Sequence, residues 1–132
     1  MKYLLDTHII LWALIDDERL NPYIKDIIMD PNHTIYYSTV SQWEVEIKHL
    51  KDNKFKLTGE QLCFLCDQNG LTNLPIRNDH VIELDQLLKD EKVKHVDPFD
   101  RILLAQAITE KMILITSDQK FKSYHTKNLM VV

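Results

Sequence analysis

The chain has 132 residues, room for one hydrophobic core but not two. Hydrophobic residues make up 45% and charged residues 27%, the balance of a globular protein and not of a disordered one. The net charge of −4, from 16 Lys plus Arg against 20 Asp plus Glu, argues against charge-driven coating of nucleic acid. It leaves room for a nucleic-acid enzyme whose acids serve cations.

Glycine is scarce, with only Gly59 and Gly70. Glycine-rich phosphate loops, dinucleotide fingerprints and nucleophile elbows need closely spaced glycines, so all three are excluded. Phosphate would be handled by side chains or metal. Cys63 and Cys66 form a lone C-x-x-C in an apolar stretch, and with no second pair they read as core packing and not as a closed zinc site. Asp6 and His8 interrupt the apolar start, no small-residue cleavage site follows, and no uncharged run has the length of a membrane span. The expectation is a cytoplasmic protein with reduced thiols, its residues 1–132 forming a single domain.

Along the chain, Tyr3-Leu4-Leu5 reads as a short strand ending at Asp6, with Thr7 as cap of a helix to about Leu14. Asn21-Pro22 starts a second helix, which stops near Asp30-Pro31. Residues 34–37 are β-branched and aromatic, hence a strand, after which Ser38 or Thr39 caps a helix to about Leu50. Thr58 with Gln61 has capping-box spacing for a helix to about Asn69. Residues 71–74 are a short strand, and Asn78 is expected to cap a helix to about Lys89. Asp97-Pro98-Phe99-Asp100 opens a helix to about Lys111, with Asp as cap and Pro at the first position. A buried strand at 112–116, a helical turn after Ser117-Asp118 and a last strand at 129–131 complete the chain. Strands alternating with helices predict an α/β fold: a central, mostly parallel sheet with helices on both faces.

Ligands of open parallel sheets bind beyond the carboxyl ends of the strands. Asp6 ends the first strand and Asp118 follows the fourth, though taken singly each reads more readily as a cap or turn residue. Asp100 stands apart. It shares a helical stripe with Leu103, Leu104, Ala107 and Ile108, and a carboxylate on a buried stripe must be paired, hydrogen-bonded or metal-bound. Asp97 is explained by its cap position. Between Glu44 and Glu46 the helical wheel does not decide, because Val40, Trp43 and Ile47 mark a core face that the two acids flank almost symmetrically.

Four segments then point to a family: L-L-D-T-H-I-I-L-W at 4–12, S-x-W-E-x-x-I-K at 41–48, D-P-F-D-R-I-L-L-A-Q-A at 97–107 and T-S-D-x-x-F at 116–121. Together they resemble a PIN-domain protein, most nearly the VapC-like toxins of bacterial toxin–antitoxin systems. The likeness spans essentially the whole chain. It implies a three-layer α/β/α fold and an Mg²⁺- or Mn²⁺-dependent endoribonuclease whose acidic pocket maps onto Asp6, Glu44, Asp100 and Asp118. The resemblance, not the wheel, selects Glu44 over Glu46. It also implies a homodimer, a cognate antitoxin that blocks the cleft, and RNA products with 5′-phosphate and 3′-hydroxyl ends.

Thr7 and Ser117, beside two of these acids, are candidates to orient metal-bound water, and Asp97 is a candidate outer-shell residue. His95 resembles a histidine often found before the D-P-F-D-R segment and receives no role. Hard divalent ions favour carboxylate oxygen, whereas a histidine acid–base pair is not evident among His8, His33, His49, His80, His95 and His125. Lys48, Lys51, Lys54 and Lys56, with Phe55 among them, read equally as an RNA-binding stretch or a solvated helix end. Arg101 is a candidate for phosphate or for pairing an acid, with Lys120 and Lys122 weaker ones. Trp12, Trp43 and Tyr36 are candidates for either an interface or the core.

Two rivals also place an acid after the first strand. An aspartyl-nucleophile phosphohydrolase wants a second Asp two residues on, where His8 stands. A receiver-type phosphoacceptor wants a lysine after a late strand, where Asp118 stands.

Overall fold

A computed structural model describes residues 1–89 and 97–132. Five strands, β1 (Lys2–Leu5), β2 (Thr34–Ser38), β3 (Thr72–Leu74), β4 (Ile113–Thr116) and β5 (Leu129–Val131), form one sheet. Its order is β3-β2-β1-β4-β5 and every neighbouring pair is parallel, as the alternation of strands and helices predicts. Leu4 lies opposite Tyr36 on one side and Leu114 on the other, which makes β1 the central strand.

Among the described residues six α-helices connect the strands: α1 (Thr7–Leu14), α2 (Pro22–Met29), α3 (Thr39–Lys51), α4 (Gly59–Gln68), α5 (Asn78–Leu87) and α6 (Pro98–Glu110). Alternate side chains of each strand leave opposite faces of the sheet, and two cores follow. Tyr3, Leu5, Ile35, Tyr37 and Ile115 pack with Ile9, Ile24, Val45, Leu62 and Cys66 of α1 to α4. Leu4, Leu114 and Leu74 pack with Leu103, Leu104 and Ala107 of α6, and with Phe121 and Tyr124. The result is three layers, α/β/α. Cys66 belongs to the first core and Cys63 is half-buried, both as free thiols.

Most helix starts follow the expected chemistry. Asn21 accepts from the Tyr23 N–H before Pro22, and Thr58 and Gln61 form a reciprocal capping box. Ser38, not Thr39, caps α3. Two caps differ from expectation. Asp6, not Thr7, caps α1, since its carboxylate already accepts the first free N–H, that of Thr7, at 2.7 Å. Asn78 lies inside α5, whose cap is Arg77. There His80 Nδ1 takes the Arg77 N–H at 3.0 Å, the role that a glutamate or glutamine plays three residues after an ordinary cap.

Candidate functional site

The chain runs from β1 outward to β2 and β3 on one side and returns to β4 and β5 on the other, so the strand order reverses between β1 and β4. A crevice opens beyond the carboxyl ends of strands at such a switch point. Asp6 follows β1 immediately, Asp118 lies two residues after β4, Glu44 is in the second turn of α3, and Asp100 is in the first turn of α6. All four meet there.

Asp6 is held on every side. Its N–H donates to the Ile115 carbonyl at 2.9 Å, which ties the end of β1 to β4. One carboxylate oxygen accepts the Thr7 N–H, and the other accepts the Thr116 hydroxyl at 2.6 Å. Thr116 in turn accepts the Asp118 N–H at 3.0 Å, so one buried hydroxyl couples two acids. Burial nevertheless raises the Asp6 pKa, and the nearby Asp118 adds to the rise.

Glu44 reaches the cluster through Thr7, whose Oγ1 lies 2.9 Å from Glu44 Oε1 and 2.8 Å from Ser41 Oγ. A hydroxyl has one proton and an ionised carboxylate can only accept. Thr7 therefore donates to Glu44, and Ser41 supplies the proton between the two hydroxyls. Desolvation, then Asp6, Asp100 and Asp97, push the Glu44 carboxyl up to about 7. Asp100 is pushed up to about 7 by desolvation and then by Asp6, Asp97 and Asp118, with Lys120 pulling the other way. Asp6, Glu44 and Asp100 are all raised, and the charges of their neighbours contribute to each, so the acids form an electrostatic unit.

The wheel of α3 explains why Glu44 and Glu46 look alike from sequence. The buried residues are Val40, Ser41 and Val45, while Trp43 is 55% exposed and not on the core face. A small serine lies where the pattern favours a large apolar residue. With the phase corrected, Glu44 shares a face with Ser41, and Glu46 turns to α4, where Oε1 accepts the Gly59 N–H at 3.3 Å.

Asp97 caps α6 by accepting the N–H groups of Phe99 and Asp100, and its charge also acts on Glu44 and Asp100. Ser117 is half-buried and gives its carbonyl to Gln119, so the hydroxyl reaching Asp6 is that of Thr116. Arg101 hydrogen-bonds the Tyr124 phenol, and Lys120 is the cation beside Asp100. Lys48 lies one helical turn beyond Glu44, its ammonium 4.6 Å from the Phe55 ring centre. Phe55 itself packs on the first core. Lys51 and Lys54 are exposed farther along, Lys51 about 10 Å along the α3 axis from Glu44 at 1.5 Å per residue. His95 lies outside the described residues.

Thr116 and Ser41 are the residues that sequence reading left without a role. Each belongs to a quoted segment, but a hydroxyl inside a strand or helix gives no sign of burial. Among the described residues, no three His, Cys, Asp or Glu side chains are gathered into a ready-made metal cage. The donor set still fits a hard ion. It is all oxygen, and Mg²⁺ typically uses one or two carboxylates and keeps several waters.

The PIN domain model matches residues 3–127. The chain belongs to the PIN domain family. PIN domains are nucleases, which sets aside the two phosphoacceptor readings. Solved structures with the same fold include VapBC2 from Rickettsia felis bound to a DNA fragment from their promoter, with TM-score 0.72, 23% identity, and coverage of 100% of this chain and 98% of that one. DNA-bound VapBC from Salmonella typhimurium matches with TM-score 0.69 and 15% identity over 100% and 97% of the two chains. FitAcB from Neisseria gonorrhoeae matches with TM-score 0.58 and 18% identity over 92% and 91%. No curated protein matches the sequence. Among the described residues of this PIN domain, no helix is long and apolar enough to cross a membrane.

Proposed function

We propose that this PIN domain is an Mg²⁺- or Mn²⁺-dependent endoribonuclease, the toxin of a toxin–antitoxin pair. The observation that carries the reading is the meeting of Asp6, Glu44, Asp100 and Asp118 at the switch point, with the carboxyls of Glu44 and Asp100 held near 7. Such mutual repulsion is a local cost that a cation would offset. Asp6, Glu44, Asp100 and Asp118 would hold the ion, which when bound supplies Lewis-acid polarisation of the phosphodiester and charge neutralisation.

The chain's own residues do the positioning. Thr116 and the Thr7 N–H fix the two oxygens of Asp6, and Thr7 with Ser41 aims Glu44. Asp97 starts α6 so that Asp100 faces the other acids. Lys120, and Lys48 at longer range, are placed to attract the RNA backbone, with Arg101, Lys51 and Lys54 as outer contributors. Likeness to VapBC complexes supports an antitoxin partner for this chain; the homodimer and the cytoplasmic setting are carried by the family resemblance of the sequence.

The test is cleavage of RNA by purified protein. EDTA should abolish it and Mg²⁺ or Mn²⁺ should restore it, while Asp6→Asn, Glu44→Gln, Asp100→Asn and Asp118→Asn should each lower the rate by orders of magnitude. Undiminished cleavage in EDTA, or wild-type activity in Asp6→Asn, would refute the assignment.

A further inference from the structure

Trp43 stands out of the surface beside the acids. It is 55% exposed, although a tryptophan normally keeps most of its area covered. Its ring meets Phe99 edge to face, with centroids 4.9 Å apart and planes at 85°, so the pair bridges α3 and α6. Each ring adjoins an acid in sequence: Trp43 precedes Glu44, and Phe99 precedes Asp100.

Trp43 also walls a cleft of about 420 Å³, lined otherwise by Thr39, Gln42, Glu46, Gly59 and Glu60. That size lies in the range of small-ligand clefts, about 300–1,000 Å³. The close seating of α4 on α3 shapes it, since a Cβ at Gly59 would come 2.8 Å from the Gln42 carbonyl oxygen. One large ring, an amide and two carboxylates make an unusual lining. Glu46 and Glu60 would repel a phosphate, while Glu46, one of whose oxygens accepts the Gly59 N–H, keeps its other oxygen to accept from a ligand. A flat ring that carries N–H groups suits all of them. It stacks on the indole, donates to the glutamates and meets the Gln42 amide, which both donates and accepts.

We infer that this cleft is a nucleobase subsite: an unpaired base beside the cleaved phosphodiester stacks on Trp43, and bases with an exocyclic amino group (adenine, cytosine, guanine) are preferred to uracil. The inference rests on the ribonuclease reading and deepens it. Carboxylates accept from amino groups such as N4 of cytosine, whereas the uracil O4 is an acceptor and would face Glu46 and Glu60 unfavourably.

The experiment is a binding titration, so it does not depend on turnover. Labelled RNA hexamers of A, C or U are titrated by anisotropy into the full chain, in EDTA and in Mg²⁺. In parallel, Trp12→Phe leaves Trp43 as the only tryptophan, and its fluorescence reports stacking. The A and C hexamers should quench Trp43 and bind more tightly than the U hexamer. Trp43→Leu should weaken A and C binding about tenfold or more, in line with stacking on an aromatic side chain, whereas Trp43→Phe should keep most of it. Glu46→Gln should narrow the preference over uracil. Hexamers with abasic positions should bind wild type and Trp43→Leu alike. A wild type that cleaves RNA, with Trp43→Leu matching it in affinity and base preference, would overturn the subsite and leave the ribonuclease reading standing. Wild-type protein that neither binds nor cleaves RNA would overturn both. Unchanged RNA affinity with an altered solution mass in Trp43→Leu would assign Trp43 to a protein interface and also overturn the subsite.

Discussion

Asp100→Asn isolates the cost of the acid cluster. Asparagine keeps the shape of the side chain and removes its charge. In the fold the Asp100 carboxyl is raised to about 7 from 3.8, chiefly by desolvation and then by Asp6. Between those two values the unfolded chain has released its proton while the folded chain retains it, so stability falls as pH rises through the window. The penalty is complete above about pH 7 and disappears below the unfolded value. Each pH unit of displacement corresponds to about 1.4 kcal/mol, giving a ceiling of about 4 kcal/mol; because the crevice is open to water, screening should leave about 1–2 kcal/mol. Metal-free Asp100→Asn should therefore melt about 3–10 °C above wild type at pH 8, and the gap should narrow toward pH 5. Excess Mn²⁺ should raise the wild-type melting temperature, by about 2.7 kcal/mol of stability at 100 times its dissociation constant, and raise the variant's less. The assay is a set of thermal melts at both pH values, with EDTA or Mn²⁺. A wild-type melt indifferent to metal, with a metal-free Asp100→Asn that is strongly destabilised at pH 8, would show that Asp100 serves only to start α6.

Glu44→Gln should lose RNA cleavage by orders of magnitude, whereas Glu46→Gln should still cleave within a few-fold with altered base preference; the reverse order would misplace the ligand set. Asp97→Ala removes the cap of α6 and should cost about 1 kcal/mol of stability, with a smaller loss of rate than Asp100→Ala. Thr116→Val keeps the shape in β4 but removes the hydrogen bonds to Asp6 and Asp118, so it should slow cleavage at least tenfold while the far-ultraviolet circular dichroism stays native; an undiminished rate would show that Asp6 needs no such support. Gly59→Ala should destabilise the fold by about 1–3 kcal/mol, read as a lower melting temperature, because its Cβ would meet a backbone oxygen at 2.8 Å.

That Asp6 and Asp118 stand at strand ends and Asp100 on an apolar stripe was legible from local rules, whereas gathering them into one pocket came from the family likeness. Strand ends, caps and an acid on an apolar stripe are short-range patterns. Glu44 was legible only through family likeness. The phase of α3 depends on tertiary packing, with Ser41 turned into the core beneath Thr7 and Trp43 turned out against Phe99. A hydrophobicity pattern reads that arrangement the wrong way round. The Asn78 cap failed for a related reason: the fully buried His80 supplies the acceptor from inside the helix, and no composition rule marks histidine for that task. Thr116 escaped because a threonine in a β-strand is unremarkable until its partner, 110 residues away in sequence, is known.

The same topology explains why the acids can share a crevice at all. Asp6 and Asp97 cap the N-termini of α1 and α6, and Ser38 caps that of α3, which carries Glu44. Each N-terminus presents unpaired N–H groups and about half a positive charge. Such ends lower the cost of gathering the carboxylates, as do Lys120 beside Asp100 and His8 beside Asp6. The compensation is incomplete, as the raised carboxyls of Asp6, Glu44 and Asp100 show. The remaining deficit is of the kind that a small hard cation would offset.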